Sequence, residues 1–418
     1  MLKDFTMDFS SFYIETLGCP KNEVDSRIIL RRLKLEGKNP VEPEEADVII
    51  INSCGFLEEA IEELKERISY WQKRRKKVLV TGCAVERYGT GFLKGGNLEL
   101  VRIDNLAGEG KIKDISRQTL LPSFENQDFS RVSLSHYVKV QEGCTRRCSY
   151  CVISKLRGPL RSRPIDDIVR EIRLLMDKGV KEFVLIAQDL TLYGVDIGLD
   201  LGSLLKRLPE GPYYRLMYLH PHGINERLIG IIKDIPGILS YLHIPIQHVS
   251  DKVLKSMKRA GGERAVKRAI ELVRKYLPGF FIRTDIMVGY PEEKDEDFEL
   301  LLDFLEKEKP ERIAIFKYSH EPSATSYRLK DLEPEIKEER YEIAYQVANE
   351  VMGKVQRGLI GKRILAFYEK GEGWTQYDAK GIDFGIEIKG VKNHTWFGFA
   401  EISKIKENLD VVGFPLKL

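Results

Sequence analysis

The sequence predicts an α/β protein of three units. These are an N-terminal doubly wound parallel sheet, a central partial (β/α) barrel and a small C-terminal all-β barrel of OB-like kind. Three observations predict it. Over residues 1–120, short apolar stretches alternate with longer stretches of helical period. The alternation resumes at Tyr137 and runs through six strand–helix repeats, where eight would complete a full barrel. After Gly361 helical period ceases, and short strands broken by Gly and Asn replace it.

In the first unit, "FYIETLG" reads as a strand and "EVDSRIILRRLKLEG" as a helix ending on Gly37. "ADVIIINSC" is a buried strand, "LEEAIEELKERISYWQK" the next helix and "KVLVTGC" the third strand. The basic run "KRRKK" at 73–77 closes a helix as a solvated, dipole-complementing end. "GTGFLKGG" at 89–96 lacks the strand-to-helix setting of a phosphate cradle and is read as a loop. Residues 121–136 are polar and aperiodic and are taken as a linker.

The second unit spans 137–357. Its strands are "YVKVQEG", "EFVLIAQ", "YYRLMYL", "LSYLHIP", "FFIRTDIMVGY" and "RIAIFKYS", with helices such as "IDDIVREIRLLMDKG" and "DEDFELLLDFLEKE" between them. A long helix from about Glu333 to Arg357 leads into the third unit, 358–418, with strands in "RILAFYE", "GIDFGIEIKG" and "TWFGFAEISKI". Trp374, Trp396 and Phe397 of this tail are expected mostly in its own core. Placed after the barrel, the tail is expected to hold a substrate over the strand ends.

Composition narrows the function class. Hydrophobic content of 43% and charged content of 31% are those of a soluble globular protein, and the longest apolar run, "VIII" at 48–51, is strand-sized. The start "MLKDFTMDFSS" has no basic flank and apolar core, so the expectation is a cytoplasmic protein without membrane association. Structural disulfides are rare in that compartment, and cysteines there more often ligate metal or do redox work. A net charge of +3 does not argue for nucleic acid.

Half of the six cysteines crowd into "EGCTRRCSYC", as Cys144, Cys148 and Cys151. The loop follows the first barrel strand, and barrel chemistry sits at strand C-terminal ends. Three thiolates at this spacing suit one metal centre. A four-iron cluster held by three cysteines keeps one iron open for a ligand. The alternative is a zinc knuckle completed by a histidine such as His136. The other three, Cys19, Cys54 and Cys83, look scattered but each ends a strand of the first unit. Parallel strands bring those ends to one edge, so these thiols should converge as well.

The first triplet, with Tyr150 before its last cysteine, resembles the radical S-adenosylmethionine (SAM) superfamily. "TLGCPKNEVDS", "NSCGF" and "TGCAVERY", in order with the barrel and the β tail, resemble its methylthiotransferase family over essentially the whole chain. That resemblance implies one 4Fe–4S cluster on Cys144, Cys148 and Cys151, which binds and cleaves SAM, and an auxiliary 4Fe–4S cluster on Cys19, Cys54 and Cys83. It implies two SAM molecules, one donating methyl to a sulfur and one yielding the radical that removes hydrogen from carbon. It also implies a TRAM domain in the tail, an electron donor such as flavodoxin or ferredoxin, and a sulfur source. Cofactor contacts are expected from Tyr150, Gln188 and Asp189, the last two at the end of the second barrel strand. The bland reading of that pair is strand-end capping. The "VGYPEE" turn at 288–293 is expected to approach SAM through its backbone, and His248 is given no role.

The family contains tRNA-modifying and ribosomal-protein-modifying branches. Residues Gly361–Leu418 carry nine Lys/Arg and eight Asp/Glu, a net of +1, which is no phosphate-gripping footprint. "CVISKLRGPLRSRP" and "HIPIQHVSDKVLKSMKR" are more similar to the protein-modifying branch; the tRNA branch usually has Ser where His248 stands. The expected substrate is thus the β-carbon of an aspartate of the twelfth small-subunit ribosomal protein, with nucleic acid not the main partner. Two rivals stay open here: a tRNA adenosine methylthiotransferase, and a non-catalytic zinc-bearing RNA- or ribosome-binding protein.

Overall fold

The computed structural model describes residues 9–55, 58–103, 106, 121–391 and 394–416. The other residues of the expected N-terminal unit, and the last two of the tail, lie outside the described residues.

The first sheet contains β1 (Ser11–Thr16), β2 (Asn39–Pro40), β3 (Val48–Ser53), β4 (Lys77–Gly82) and β5 (Leu98–Leu100), in the order β2-β1-β3-β4-β5. All pairings are parallel. Helices α1 (Pro20–Leu35), α2 (Glu58–Lys73) and α3 (Cys83–Tyr88) connect the strands. Every residue of β3 is buried, because a parallel sheet is covered on both faces. Alternation divides its side chains: Ile49 and Ile51 join Leu64 and Trp71, while Val48 and Ile50 join Ile29 and Leu33. The register pairs Thr16 with Asn52 and Asn52 with Thr81, so the strand ends stand abreast.

The second sheet is built from β6 (Ser135–Lys139), then, after the short antiparallel pair β7 (Gln141–Glu142) and β8 (Arg161–Ser162), from β9 (Glu182–Ile186), β10 (Tyr213–Leu216), β11 (Ile238–His243), β12 (Phe281–Val288) and β13 (Arg312–Lys317). Its six strands follow chain order from β6 to β13, all parallel, and form an open barrel. Phe183 and Leu185 face the outer helices and the main core; Val184 and Ile186 face inward with Tyr241 and Met217. The stretch expected as a linker is anchored. Phe129 and Leu134 are buried, Asp128 pairs with Lys34 at 2.9 Å, and β6 already begins at Ser135.

The third sheet has β14 (Arg363–Glu369), β15 (Glu372–Thr375), β16 (Ile386–Ile388), β17 (Trp396–Ile405) and β18 (Val411–Pro415), in the order β15-β14-β17-β18-β16. It is a small, nearly closed barrel of the TRAM kind around Ile364, Ala366, Ile386, Ile402 and Val411. "GIDFGIEIKG" is strand only over its central three residues, and β15 and β18 were not anticipated.

The tail does not sit over the strand ends, as expected above. It closes the opposite rim. Trp374 donates to Glu182, the first residue of β9, at 2.7 Å and stacks on Phe367 at 5.4 Å. Tyr377 stacks on Phe281, which opens β12, at 3.9 Å, and Asp378 pairs with Arg312, which opens β13, at 2.6 Å. Asp383 reaches further up the inside, to Tyr241 at 2.8 Å and Arg283 at 3.3 Å. The helix Pro334–Arg357 is the cause. It leaves the C-terminal end of β13 and, about 36 Å long, returns the chain to the strand starts. Trp374 is therefore buried between tail and barrel, Phe397 is half-buried there against Tyr213 at 5.8 Å, and Trp396 is half-buried in the tail's own core. Among the described residues, no helix is long and apolar enough to cross a membrane.

Candidate active site

All six cysteines are free thiols, half-buried, and line one cavity of about 470 Å³ at the C-terminal ends of both parallel sheets. In the N-terminal unit, Cys19 caps α1, Cys54 lies in the loop after β3 and Cys83 opens α3. Two glycines permit the close approach of these loops. A Cβ on Gly18 (φ +87°) would stand 2.6 Å from the Cys54 Cβ, and one on Gly55 would stand 2.5 Å from Ala84 and 2.8 Å from the Cys83 carbonyl carbon. Asn22 ties the loops together: its amide donates to Leu17 O at 2.9 Å and Ser53 O at 3.1 Å.

The barrel triplet sits on the loop between β7 and β8. Backbone N–H groups donate toward its sulfurs, Arg146 to Cys144 at 3.4 Å and Ile153 to Cys151 at 3.5 Å. Arg157 Nη2 donates to Cys83 Sγ at 3.0 Å across the cavity. Burial pushes the Cys83 and Cys151 thiols up to about 12, and the Cys144 thiol to about 11. A bare thiolate is thus disfavoured there, and a metal centre is the kind of charge that reverses this. Among the described residues, no three Cys, His, Asp or Glu converge closely enough to hold a single ion. A zinc site needs all its sulfurs about 2.3 Å from one point, whereas a cluster spreads its thiolates over separate irons. The donor set therefore fits clusters better than zinc. His136 does not complete a zinc knuckle, since it is the second residue of β6, at the end of that strand away from the cysteine loop, and faces Glu171.

Tyr150, Gln188 and Asp189 all line the cavity. Asp189 combines both readings: it caps the following turn through Thr191 N at 3.0 Å and pairs with Arg146 at 2.9 Å. Gln188 donates to Glu142 at 2.7 Å, and its Oε1 is buried without a hydrogen-bond donor among the described residues. The Tyr150 hydroxyl accepts from Arg259 at 3.3 Å. The "VGYPEE" turn does not line the cavity; Tyr290 instead supports the cysteine loop through Ser149 at 3.0 Å. His248 is buried, accepts from Ser250 N at 3.0 Å and lies 3.3 Å from Glu293, a structural setting.

Several residues escaped the sequence reading. Asp25 on α1, Lys139 on β6, Glu142 on β7 and Arg157 form a fully buried network of two cations and two anions between the two sheets. Burial alone would raise the Asp25 carboxyl, but Arg157 and Lys139 outweigh it and hold it below the usual range. A signal was present: Asn22, Asp25 and Ser26 put polar groups at helical spacing on the buried face of α1. His220 also lines the cavity. Its Nδ1 accepts from His222 N at 3.2 Å, so Nε2 carries the proton and has no acceptor among the described residues. Lys21, in the first turn of α1, lays its ammonium on the Tyr218 ring, 3.4 Å from the centroid. Burial pulls that ammonium below its ordinary range.

A broad groove of about 1260 Å³ leads to this cavity between the first sheet and the barrel edge, lined by Glu58, Glu59, Tyr88, Phe92 and Tyr341. It shares Phe316, Lys317 and Glu321 with the cavity wall.

Comparison with known proteins matches residues 138–305 to the radical SAM superfamily and residues 11–101 to the family described as "Uncharacterized protein family UPF0004". The chain is 37% identical over 411 residues to the ribosomal protein uS12 methylthiotransferase RimO of Carboxydothermus hydrogenoformans, covering 91% of this chain and 93% of that one. To the protein of the same name from Thermosipho africanus it is 37% identical, covering 91% and 94%. Among solved structures it resembles the radical SAM methyltransferase TsrM of Kitasatospora setae, with a TM-score of 0.53 at 13% identity over 76% of this chain and 77% of that one. That likeness concerns the fold alone.

Proposed function

Because the chain belongs to the radical SAM methylthiotransferase family, whose members are transferases using 4Fe–4S clusters and SAM, we propose that it adds a methylthio group to the β-carbon of an aspartate of ribosomal protein uS12, in the cytoplasm. One observation carries the reading: both cysteine triplets line a single cavity. We assign Cys144, Cys148 and Cys151 to the SAM-binding cluster and Cys19, Cys54 and Cys83 to the auxiliary one. Bound there, the clusters and SAM supply the radical that removes hydrogen from carbon and the methylated sulfur that replaces it.

The chain's own residues do the positioning. The buried Asp25–Lys139–Glu142–Arg157 network clamps the first sheet to the barrel, so the two triplets keep a fixed separation. Tyr150, Gln188 and Asp189 offer a ring, an unmet acceptor and a carboxylate toward SAM. The apolar part of the wall, including Val152, Ile153 and Met287, keeps water from the reacting carbon. Substrate approaches by the adjoining groove. A flavodoxin- or ferredoxin-like donor supplies electrons, and a separate source supplies sulfur.

The names carried by the relatives and the near-neutral tail favour protein over tRNA as substrate. Mass spectrometry of ribosomal proteins and of tRNA, from cells with and without this protein, tests it. A methylthio mass increment on uS12 that disappears with the gene is expected; methylthioadenosine lost from tRNA, with uS12 unchanged, would refute it.

A further inference from the structure

Among the described residues, the cavity wall carries five Lys and Arg side chains: Lys21, Arg146, Arg157, Arg259 and Lys317. Three are committed to acids. Arg146 pairs with Asp189 at 2.9 Å, Arg157 with Asp25 at 2.6 Å and Lys317 with Glu338 at 2.6 Å. Arg259 binds the Tyr150 hydroxyl and the Pro245 carbonyl beside the barrel triplet. Lys21 differs from all four. Among the described residues its ammonium has no carboxylate within ion-pair distance and no hydrogen-bond acceptor; it lies on the face of Tyr218, with the Cys19 thiol as the first of the groups whose charge acts on it. The two acids that act on it at longer range are already paired, Glu142 with Lys139 and Arg157, and Asp285 with His243 at 3.0 Å and with Arg283.

The placement is specific. Lys21 lies two residues after Cys19, on the first sheet's side, and Tyr218 lies just beyond β10, on the barrel's side. The ammonium therefore bridges the first unit and the barrel on the wall of the cavity that both triplets line. Tyr218 is held at φ 65°, a backbone conformation rare outside glycine, with its carbonyl accepting from Leu190 N at 2.9 Å. A cation held on an aromatic face in a largely apolar cavity is poised for an anion.

We infer that Lys21 binds the side-chain carboxylate of the substrate aspartate and so selects an acidic residue over its amide and over a neutral nucleobase. This rests on the reading of uS12 as substrate. The chemistry suits the reaction, because the β-carbon is bonded directly to that carboxylate. Fixing the carboxylate on Lys21 fixes the reacting carbon between the two triplets. The carboxylate of SAM is the competing occupant, but Arg259, beside Cys148 and Tyr150, is the cation on SAM's side of the cavity. Lys21 is thus a specificity-determining residue.

The test uses full-length, anaerobically reconstituted enzyme with uS12 and with uS12 carrying Asn in place of the target aspartate. The parent should bind the aspartate form about 10- to 100-fold more tightly than the Asn form, the usual worth of a charge-assisted hydrogen bond. Lys21→Met should abolish that preference by weakening only the aspartate form, with iron content equal to the parent's. Lys21→Arg should restore most of it. If Lys21→Met discriminates the two forms as the parent does, Lys21 is not the receptor. If Lys21→Met instead loses affinity for SAM with no uS12 present, the carboxylate is SAM's and the inference falls. If the parent neither binds nor modifies uS12, the substrate reading itself fails, and this inference with it. The comparison of substrate forms on the parent enzyme alone needs no variant to fold.

Discussion

Asp25→Asn should disrupt the seam between the two sheets. In the parent, Lys139, Arg157, Asp25 and Glu142 balance two charges of each sign, and the side chains of Lys139, Asp25 and Glu142 are fully buried. The amide retains shape and some hydrogen bonding but leaves two cations facing one anion without water. Removing one partner of a buried ion pair costs about 3–5 kcal/mol, because the remaining charge is uncompensated. A loss of that size lowers the unfolding midpoint of a 418-residue chain by roughly 3–6 °C in a heat-capacity scan. The cost should hold from pH 8 to 5. Asp25 is held below the usual carboxylate range, so its contribution is fully present above its unfolded value and is lost only as pH falls through the still lower folded value. The double variant Asp25→Asn, Lys139→Met restores balance with Arg157 facing Glu142. It should recover at least about 1–2 kcal/mol relative to the sum of the single losses. A single substitution costing under about 1 kcal/mol, or a double variant losing the full sum, would refute the charge-balance argument.

Replacing Cys144, Cys148 and Cys151 together with Ala should remove about half of roughly eight irons, as should replacing Cys19, Cys54 and Cys83; undiminished iron in either variant removes that triplet from the ligand set. Cys148→Ala should abolish production of 5′-deoxyadenosine, whereas Cys54→Ala should retain some but form no methylthio product, both read by chromatography and mass spectrometry. Trp374→Ala should cost about 3–5 kcal/mol and render the tail sensitive to limited proteolysis, because the ring fills the tail–barrel seam and satisfies Glu182. Burial holds His136 down to about 4, so the native chain refuses a proton that the unfolded chain takes up below about 6.5. Stability should therefore fall by up to about 3 kcal/mol as pH drops from 6.5 to 4, and His136→Gln should flatten that part of the curve measured by denaturant titration.

Much of the fold was legible because local period encodes it. "VIIINS" is continuously apolar since a parallel strand is covered on both sides, and "DEDFELLLDFLEKE" begins and ends as a helix at the residues the pattern indicates. The tail was legible only in part, as β15 contains Gly373 and β18 Gly413, which mask the strand pattern.

The six cysteines were legible for a related reason. A residue just beyond a parallel strand must lie at one edge of its sheet, so Cys19, Cys54 and Cys83 could be gathered without knowing any contact. What only the tertiary structure decided is how the units meet. Arg157 reaches Asp25 across 132 positions, and nothing local to either marks the pairing. The tail's place at the strand starts follows from the path of one long helix, not from its own composition. Lys21 reads in sequence as an ordinary helix-start lysine. That no acid among the described residues comes within ion-pair distance of it is a property of how the two units meet, because whether a charge is satisfied depends on what distant chain folds against it.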